Sequence, residues 1–289
     1  MIYVSVQPDN PYFYWQIKVM ATNLINWGVK PENIHNVWMV NNGPSKSLLE
    51  HNLPGTNFYY QLEDVKGYLP ALKPQGMKKH CDKLGSAKFC MQDSDVIWLR
   101  KPMLDNLCGC YWHTSDCRSY LNTRYIKSKG EDIFQNMASI VGVNPKFIEA
   151  MDHCAGGAQW VMNNTTFEYW DKVERDSVNL YHYLRTTGKG QKYPIQAWTA
   201  EMWATLWNAL MFGKDVTISN SLSFTFATSR YEDLKDYRIL HLAGVMDNQR
   251  DKLFFKGDYT SKSPIGLDFS HLSKEYAAYR YVEELSKLA

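Results

Sequence analysis

The sequence predicts an α/β fold: a sheet flanked by helices, followed by a mainly helical second half. Three observations carry this. Short apolar runs alternate with helical patterns through the first third of the chain. Turn-forming residues fall between them, where strand and helix must connect. Two long helical patterns then dominate residues 165–212. Such alternation gives a mainly parallel sheet with helices on both faces. Ligands of such sheets bind beyond the carboxyl ends of the strands.

The elements follow in order. Residues 2–6 read as a buried first strand. Asn10-Pro11 opens a helix, with proline at the first position, where its missing N–H is no loss. Phe13, Ile17, Met20, Leu24 and Trp27 keep the helical spacing, and Gly28 ends it. Residues 34–40 form a second strand, Asn41-Asn42-Gly43-Pro44 a turn, and residues 58–60 a short third strand. Residues 69–84 are mostly helical, irregular early because of Pro74 and Gly76. Residues 87–91 are a strand entering Asp93-Ser94-Asp95, and residues 96–99 resume as a strand. Gly156 to Met162 reads as a glycine-hinged strand. Asn164 or Thr165 caps a long helix, residues 188–190 form a loop, and residues 195–212 form a second long helix. Residues 216–218 and 238–242 are late strands, and residues 270–288 a C-terminal amphipathic helix. We therefore expect one domain over residues 1–269 with a helix, 270–289, packed on it.

Composition narrows the function. Hydrophobic residues at 45% and charged residues at 21% exclude extended disorder. A formal net charge of +2 does not suggest a strongly basic nucleic-acid binder, though it permits a local patch. Arg118, Arg124, Lys127 and Lys129, near Tyr120 and Tyr125, are the candidate patch; the alternative is a solvated loop. Neither a signal peptide nor a membrane-length apolar run is visible. The expectation is a cytoplasmic protein without membrane contact, its six cysteines reduced. Nothing implies an obligate protein partner.

Asp93 and Asp95 are the leading chemical feature. Two carboxylates two residues apart, between strands, place hard oxygen ligands at a sheet edge, suited to Mg²⁺ or Mn²⁺ and through it a diphosphate. Alternate residues of an extended corner face opposite ways, so Asp95 is the direct ligand and Asp93 a ligand or a contact to ribose or metal water. Alone, the pair also reads as an ordinary Asx turn. His241, ending an apolar run, is a candidate third ligand; the alternative is a structural histidine. Lys252 and Lys256 follow, with the chemistry to neutralise a diphosphate or simply to be solvated. Glu201 is the only formally charged residue between Tyr193 and Gly213. It is either a base in a pocket or a surface glutamate on the exposed helical face. Asp152 is the second candidate base. Gly156 and Gly157 allow close approach of a ligand, or mark a bulge. Cys108-x-Cys110-x2-His113-x3-Cys117 offers zinc ligands, but the spacing departs from Cys-x2-Cys, and core thiols are the better reading.

With these residues in hand, the chain resembles the plant hydroxyproline O-arabinosyltransferases and the related peptidyl-serine galactosyltransferases. Pro11-Tyr12-x-x-Trp15-Gln16 is similar to their Pro-Tyr-x-x-Trp-Gln segment, and Asp93-Ser94-Asp95-Val96-Ile97 with Lys101-Pro102 to their metal segment. Trp198-x-x-Glu201-Met202-Trp203 resembles their Trp-x-x-Glu-Met-Tyr helix, and Ile239-Leu240-His241 their late strand. The four motifs keep the family's order across roughly residues 1–245. The resemblance implies a GT-A-type nucleotide-sugar-binding sheet and a UDP-sugar donor, arabinose favoured. It implies Mn²⁺ or Mg²⁺ on Asp93, Asp95 and His241, and donor contacts from Gln7, Trp15, Gln16, Asp93, Gly156, Gly157 and Lys252. Trp203 stands where the family has tyrosine, and the plant enzymes are secretory and anchored. A compact relative without those features suits a phage enzyme acting on hydroxymethylcytosine in DNA. The alternatives are transfer to a protein or glycan hydroxyl, a non-catalytic sugar- or nucleotide-binding protein, and a zinc-dependent nucleic-acid-binding module.

Overall fold

A computed structural model describes residues 1–189 and 192–289; Gly190 of the expected 188–190 loop lies outside the described residues. The elements, in chain order, are β1 (Ile2–Pro8), α1 (Pro11–Asn26), β2 (Ile34–Val40), α2 (Lys46–Glu50), β3 (Thr56–Gln61), α3 (Leu72–Leu84), β4 (Phe89–Met91) and β5 (Val96–Trp98). Then come β6 (Trp112–Asp116), α4 (Arg118–Leu121), α5 (Thr123–Lys127), α6 (Glu131–Val141), α7 (Pro145–Ala150), β7 (Gly156–Met162), α8 (Phe167–Thr187) and α9 (Ala200–Met211). The last are β8 (Val216–Ile218), β9 (Phe224–Phe226), β10 (Ile239–His241) and α10 (Ala278–Ser286). The α/β class is as expected. The chain forms two compact units, each assembled from separate segments: Met1–Gln61, Gln92–Asn106 and Asn220–Ala289 in one, Leu62–Met91 and Leu107–Ser219 in the other.

In the first unit, β3-β2-β1 pair in parallel, β1 joined to β2 from Tyr3↔Ile34 to Pro8↔Met39. Asn10 caps α1, its side chain accepting from the Tyr12 N–H, with Pro11 in the first turn. The cap, the proline and the apolar stripe all come from local sequence, which is why this helix begins where expected. A second, small sheet runs β5-β10-β9. β10 is antiparallel to β5 and parallel to β9. Trp15, Phe254, Phe269, Tyr281 and Leu285 share one buried cluster with Ile97 and Leu240. α10 starts at Ala278, later than the expected residue 270, and buries Tyr281, Val282 and Leu285.

In the second unit the expectation of mainly parallel pairing fails. β7 is antiparallel to both β4 and β6, and only β8 runs parallel to its neighbour β6. Strand direction depends on non-local pairing that a run of apolar residues does not encode. The α8 cap is Thr166, one or two residues beyond the expected Asn164 or Thr165, and α9 begins at Ala200, after a short 3₁₀ turn at Ala197–Thr199. Trp170, Trp203 and Trp207 are fully buried here. The abundant tryptophans are therefore chiefly core.

Cysteine usage also differs. Cys108 and Cys110 are joined in a disulfide, against the expectation of six reduced thiols, while Cys81, Cys90, Cys117 and Cys154 are free and buried. Two of the four atoms needed for a zinc site are thereby consumed. His113 Nε2 instead meets the Cys108 carbonyl at 2.9 Å. Among the described residues, no helix is long and apolar enough to cross a membrane.

Candidate metal and transfer site

The Asp93-Ser94-Asp95 corner is braced from both sides within the first unit. The Gln92 N–H donates to the Val4 carbonyl of β1 at 3.0 Å, and the Leu242 N–H to the Asp95 carbonyl at 2.9 Å. Ser94 Oγ donates to Gln16 Oε1 at 2.8 Å, and Gln16 Nε2 donates to the Tyr12 carbonyl at 2.8 Å. The antiparallel register sets His241 opposite Val96, beside Asp95. A short strand pair and one glutamine thus bring together residues nearly 150 positions apart in sequence.

The result is a compact donor set. Ligand atoms of Asp93, Asp95 and His241 all lie within 4.8 Å of one another. His241 Nε2 is 3.3 Å from Asp95 Oδ1 and 3.7 Å from Asp93 Oδ2. Neighbouring ligands of an octahedral ion bound at about 2.1 Å stand about 3 Å apart, so this spacing fits one Mg²⁺- or Mn²⁺-sized cation with little movement. Asp95 is only 4% exposed. Burial opposes its charge, but the Lys256 ammonium and then His241 outweigh burial and hold its carboxyl well below the usual carboxylate range. Lys256 pairs with Asp95 Oδ2, leaving Oδ1 toward His241. Burial opposes the charge of Lys256 in turn, but Asp95, Tyr12 and Asp93 together raise its pKa.

His241 Nδ1 is buried with no hydrogen-bond partner among the described residues. The rings of Phe224 and Phe226 stand 6.2 and 6.1 Å from the imidazole. Packing, instead of the usual second-shell acceptor, therefore orients the nitrogen that faces the carboxylates. His241→Ala should weaken Mn²⁺ affinity by ten- to a hundredfold, read by titration of Mn²⁺ electron paramagnetic resonance. A histidine held only as core would lower the melting temperature and leave Mn²⁺ affinity unchanged.

The expected donor contacts divide. Gln16 supports the corner through Ser94, as described. Trp15 is buried in the aromatic cluster, its indole N–H donating to the Tyr259 carbonyl at 3.1 Å. Gln7 is buried too, accepting from Ser5 Oγ and donating to the Val37 carbonyl. Both hold the fold in this structure and present no free face to a ligand. Lys252 is an exposed turn residue; the lysine at the carboxylates is Lys256. Nothing local distinguishes the two lysines, because the segment after β10 has no period to read.

Gly156, Gly157, Asp152 and Glu201 belong to the second unit. A Cβ on Gly156 would stand 2.0 Å from Thr114 Cγ2 and 2.7 Å from the Ser115 carbonyl oxygen. On Gly157 it would meet the flexible end of Met202 at 2.5 Å. These glycines permit close β6–β7 and β7–α9 packing, beside a register shift between Thr114 and Ser115 where Ala158 takes a φ of 59°. Gly156→Ala should lower stability by about 1–3 kcal/mol, and Gly157→Ala by less, because a methionine end yields where backbone does not. Thermal melts of the two variants check the order.

Glu201 is 4% exposed, which removes the surface-glutamate alternative. Its Oε2 lies 3.4 Å from Lys73 Nζ, and Thr205 Oγ1 donates to its Oε1 at 3.2 Å. Asp152 accepts from both the N–H and the hydroxyl of Thr123, bracing α5. Two of the four cations of the expected basic patch are compensated. Arg118 makes two bonds to Asp116, and Lys127 pairs with Glu149 and Glu131.

No family model matches the chain, and no curated protein matches it in sequence. Among solved structures it is similar to the galactosyltransferase LgtC bound to donor and acceptor sugar analogues, at 14% identity and a TM-score of 0.48, over 100% of this chain and 96% of that one. It is similar to the bifunctional glycosyltransferase WbbM at 12% identity and a TM-score of 0.48, spanning 100% of this chain but only 50% of that one. Mouse xyloside xylosyltransferase 1, in its apo form, aligns at 8% identity and a TM-score of 0.41, over 83% of this chain and 96% of that one.

Proposed function

We propose that this protein is a metal-dependent glycosyltransferase that moves a sugar from a UDP-sugar to an acceptor hydroxyl. The observation that carries the reading is the corner itself: two carboxylates, one imidazole and one ammonium converge on a braced strand junction. Asp93, Asp95 and His241 would hold the cation. When bound, Mn²⁺ or Mg²⁺ supplies positive charge to the diphosphate leaving group. Lys256, already charged and beside Asp95, adds a second positive group. Glu201 is the residue we assign to accept the acceptor hydroxyl's proton. It is shielded from water and its carboxylate is oriented by Lys73 and Thr205. Asp152 is the weaker choice, since Thr123 engages both its oxygens.

Arabinose as the sugar and hydroxymethylcytosine in DNA as the acceptor are the finer reading, supported by the four-motif resemblance. The test is UDP release from a panel of UDP-sugars, each with hydroxymethylated DNA, a hydroxyproline peptide or an oligosaccharide, in Mn²⁺ and in EDTA. The reading expects release in Mn²⁺ that EDTA abolishes, greatest with UDP-arabinose and hydroxymethylated DNA. No release from any donor would sink the transferase reading. Release with a peptide or glycan but not DNA would overturn the acceptor alone.

A further inference from the structure

Beside Glu201, the second unit carries an exposed strip of aromatic and cationic side chains. Trp198 is 59% exposed and Tyr193 70% exposed. A single exposed aromatic side chain needs no explanation; here the rings are fixed in place and accompanied by cations. Trp198 is held in place: its carbonyl accepts from the Tyr68 hydroxyl at 2.7 Å, and its ring stands edge-on to Tyr68, centroids 5.9 Å apart. The same hydroxyl accepts from the Glu201 N–H at 2.9 Å. One buried tyrosine therefore fixes both the exposed indole and the start of the helix that carries the proposed base.

Three cations lie over aromatic rings of the same unit. Arg185 lies 5.9 Å from the centroid of Tyr181, which stacks on Tyr68 at 4.3 Å. Lys129 donates to the Tyr193 carbonyl at 3.1 Å and lies over Tyr125. Lys192 lies over Tyr193 itself. Among the described residues, none of the three makes an ion pair with a carboxylate, unlike the neighbouring Arg118 and Lys127. Cations without carboxylate partners, in the same unit as exposed aromatic rings, are complementary to a strand that carries both phosphates and flat bases. A neutral glycan offers sugar faces and hydroxyl acceptors but no negative charge for the cations.

We infer that this strip is the acceptor surface and takes a single-stranded or unstacked nucleic-acid segment, a base lying on Trp198 and phosphates meeting Arg185, Lys129 and Lys192. The inference rests on the transferase reading only in calling the strand an acceptor; the binding itself does not. It shares Lys129 with the patch expected at residues 118–129, but leaves out Arg118 and Lys127, which pair with carboxylates.

The experiment is fluorescence anisotropy of a labelled 12-nucleotide DNA strand with the full chain, in EDTA and without UDP-sugar, across a salt series. Binding should weaken with salt, with a log–log slope of about −2 if all three cations contact phosphate. Trp198→Ala should weaken binding about tenfold or more with the slope unchanged. Arg185→Ala combined with Lys129→Ala should flatten the slope to about −0.7, the value for one remaining contact. Trp198 and both cations lie at the surface or its edge, and melting curves of the variants should match the parent. Salt-independent binding, variants that bind as the parent does, or displacement of the strand by a neutral oligosaccharide would each overturn the inference. Metal-dependent UDP release without strand binding would defeat this inference alone. Strand binding without UDP release from any donor would defeat the transferase reading.

Discussion

Asp95→Asn should reduce transfer by about a hundred- to a thousandfold while leaving the fold intact. That is the usual cost of removing one group that stabilises developing charge at a reacting centre. Asparagine keeps an oxygen acceptor for Lys256 but loses the negative charge that a cation needs. Asp95→Ala is a harsher test of the same idea. It would leave the Lys256 ammonium facing a largely buried void, and unpairing a buried charge costs about 3–5 kcal/mol. A loss of activity in either variant needs a melting curve beside it, because asparagine fills the space but also removes the counter-charge of Lys256. Near-normal turnover in Asp95→Asn would remove Asp95 from the site.

Glu201→Gln should keep donor binding and lose transfer by about a hundred- to ten-thousandfold, the range expected for one proton-accepting group. The amide keeps the Thr205 bond but cannot take a proton, and Lys73 loses its counter-charge. UDP affinity, melting temperature and turnover together distinguish three outcomes. Intact UDP affinity with lost turnover supports the base. Lost UDP affinity makes Glu201 an orienting group. A lower melting temperature with normal turnover makes the Lys73 pair purely structural.

How much was legible in the sequence follows from what is local. The start of α1 was readable because Asn10 and Pro11 act on the backbone next to them. The meeting of Asp93, Asp95 and His241 was readable because apolar runs flank the aspartates and lead into His241, and the pairing of β5 with β10 joins them. Lys256 could not be separated from Lys252, since which one reaches Asp95 depends on an irregular segment folding back. Trp15 was misplaced for a related reason: an aromatic on an amphipathic helix has the same spacing whether it meets a ligand or Phe254 and Tyr281. β6 went unseen, because Trp-His-Thr-Ser-Asp is short and largely polar, although its first four residues are buried and it pairs with β7 and β8. The exposed Trp198 was read as part of a helix; only the structure shows the 3₁₀ turn that lifts it out.

The most direct test of the central claim is Mn²⁺ binding to the purified parent protein, measured by calorimetry with and without UDP. If Asp93, Asp95 and His241 form a nucleotide-linked metal site, one Mn²⁺ binds per chain, UDP tightens it at least tenfold, and Asp95→Asn removes the effect of UDP. Mn²⁺ binding that is absent, or present but indifferent to UDP and to Asp95→Asn, would contradict the account.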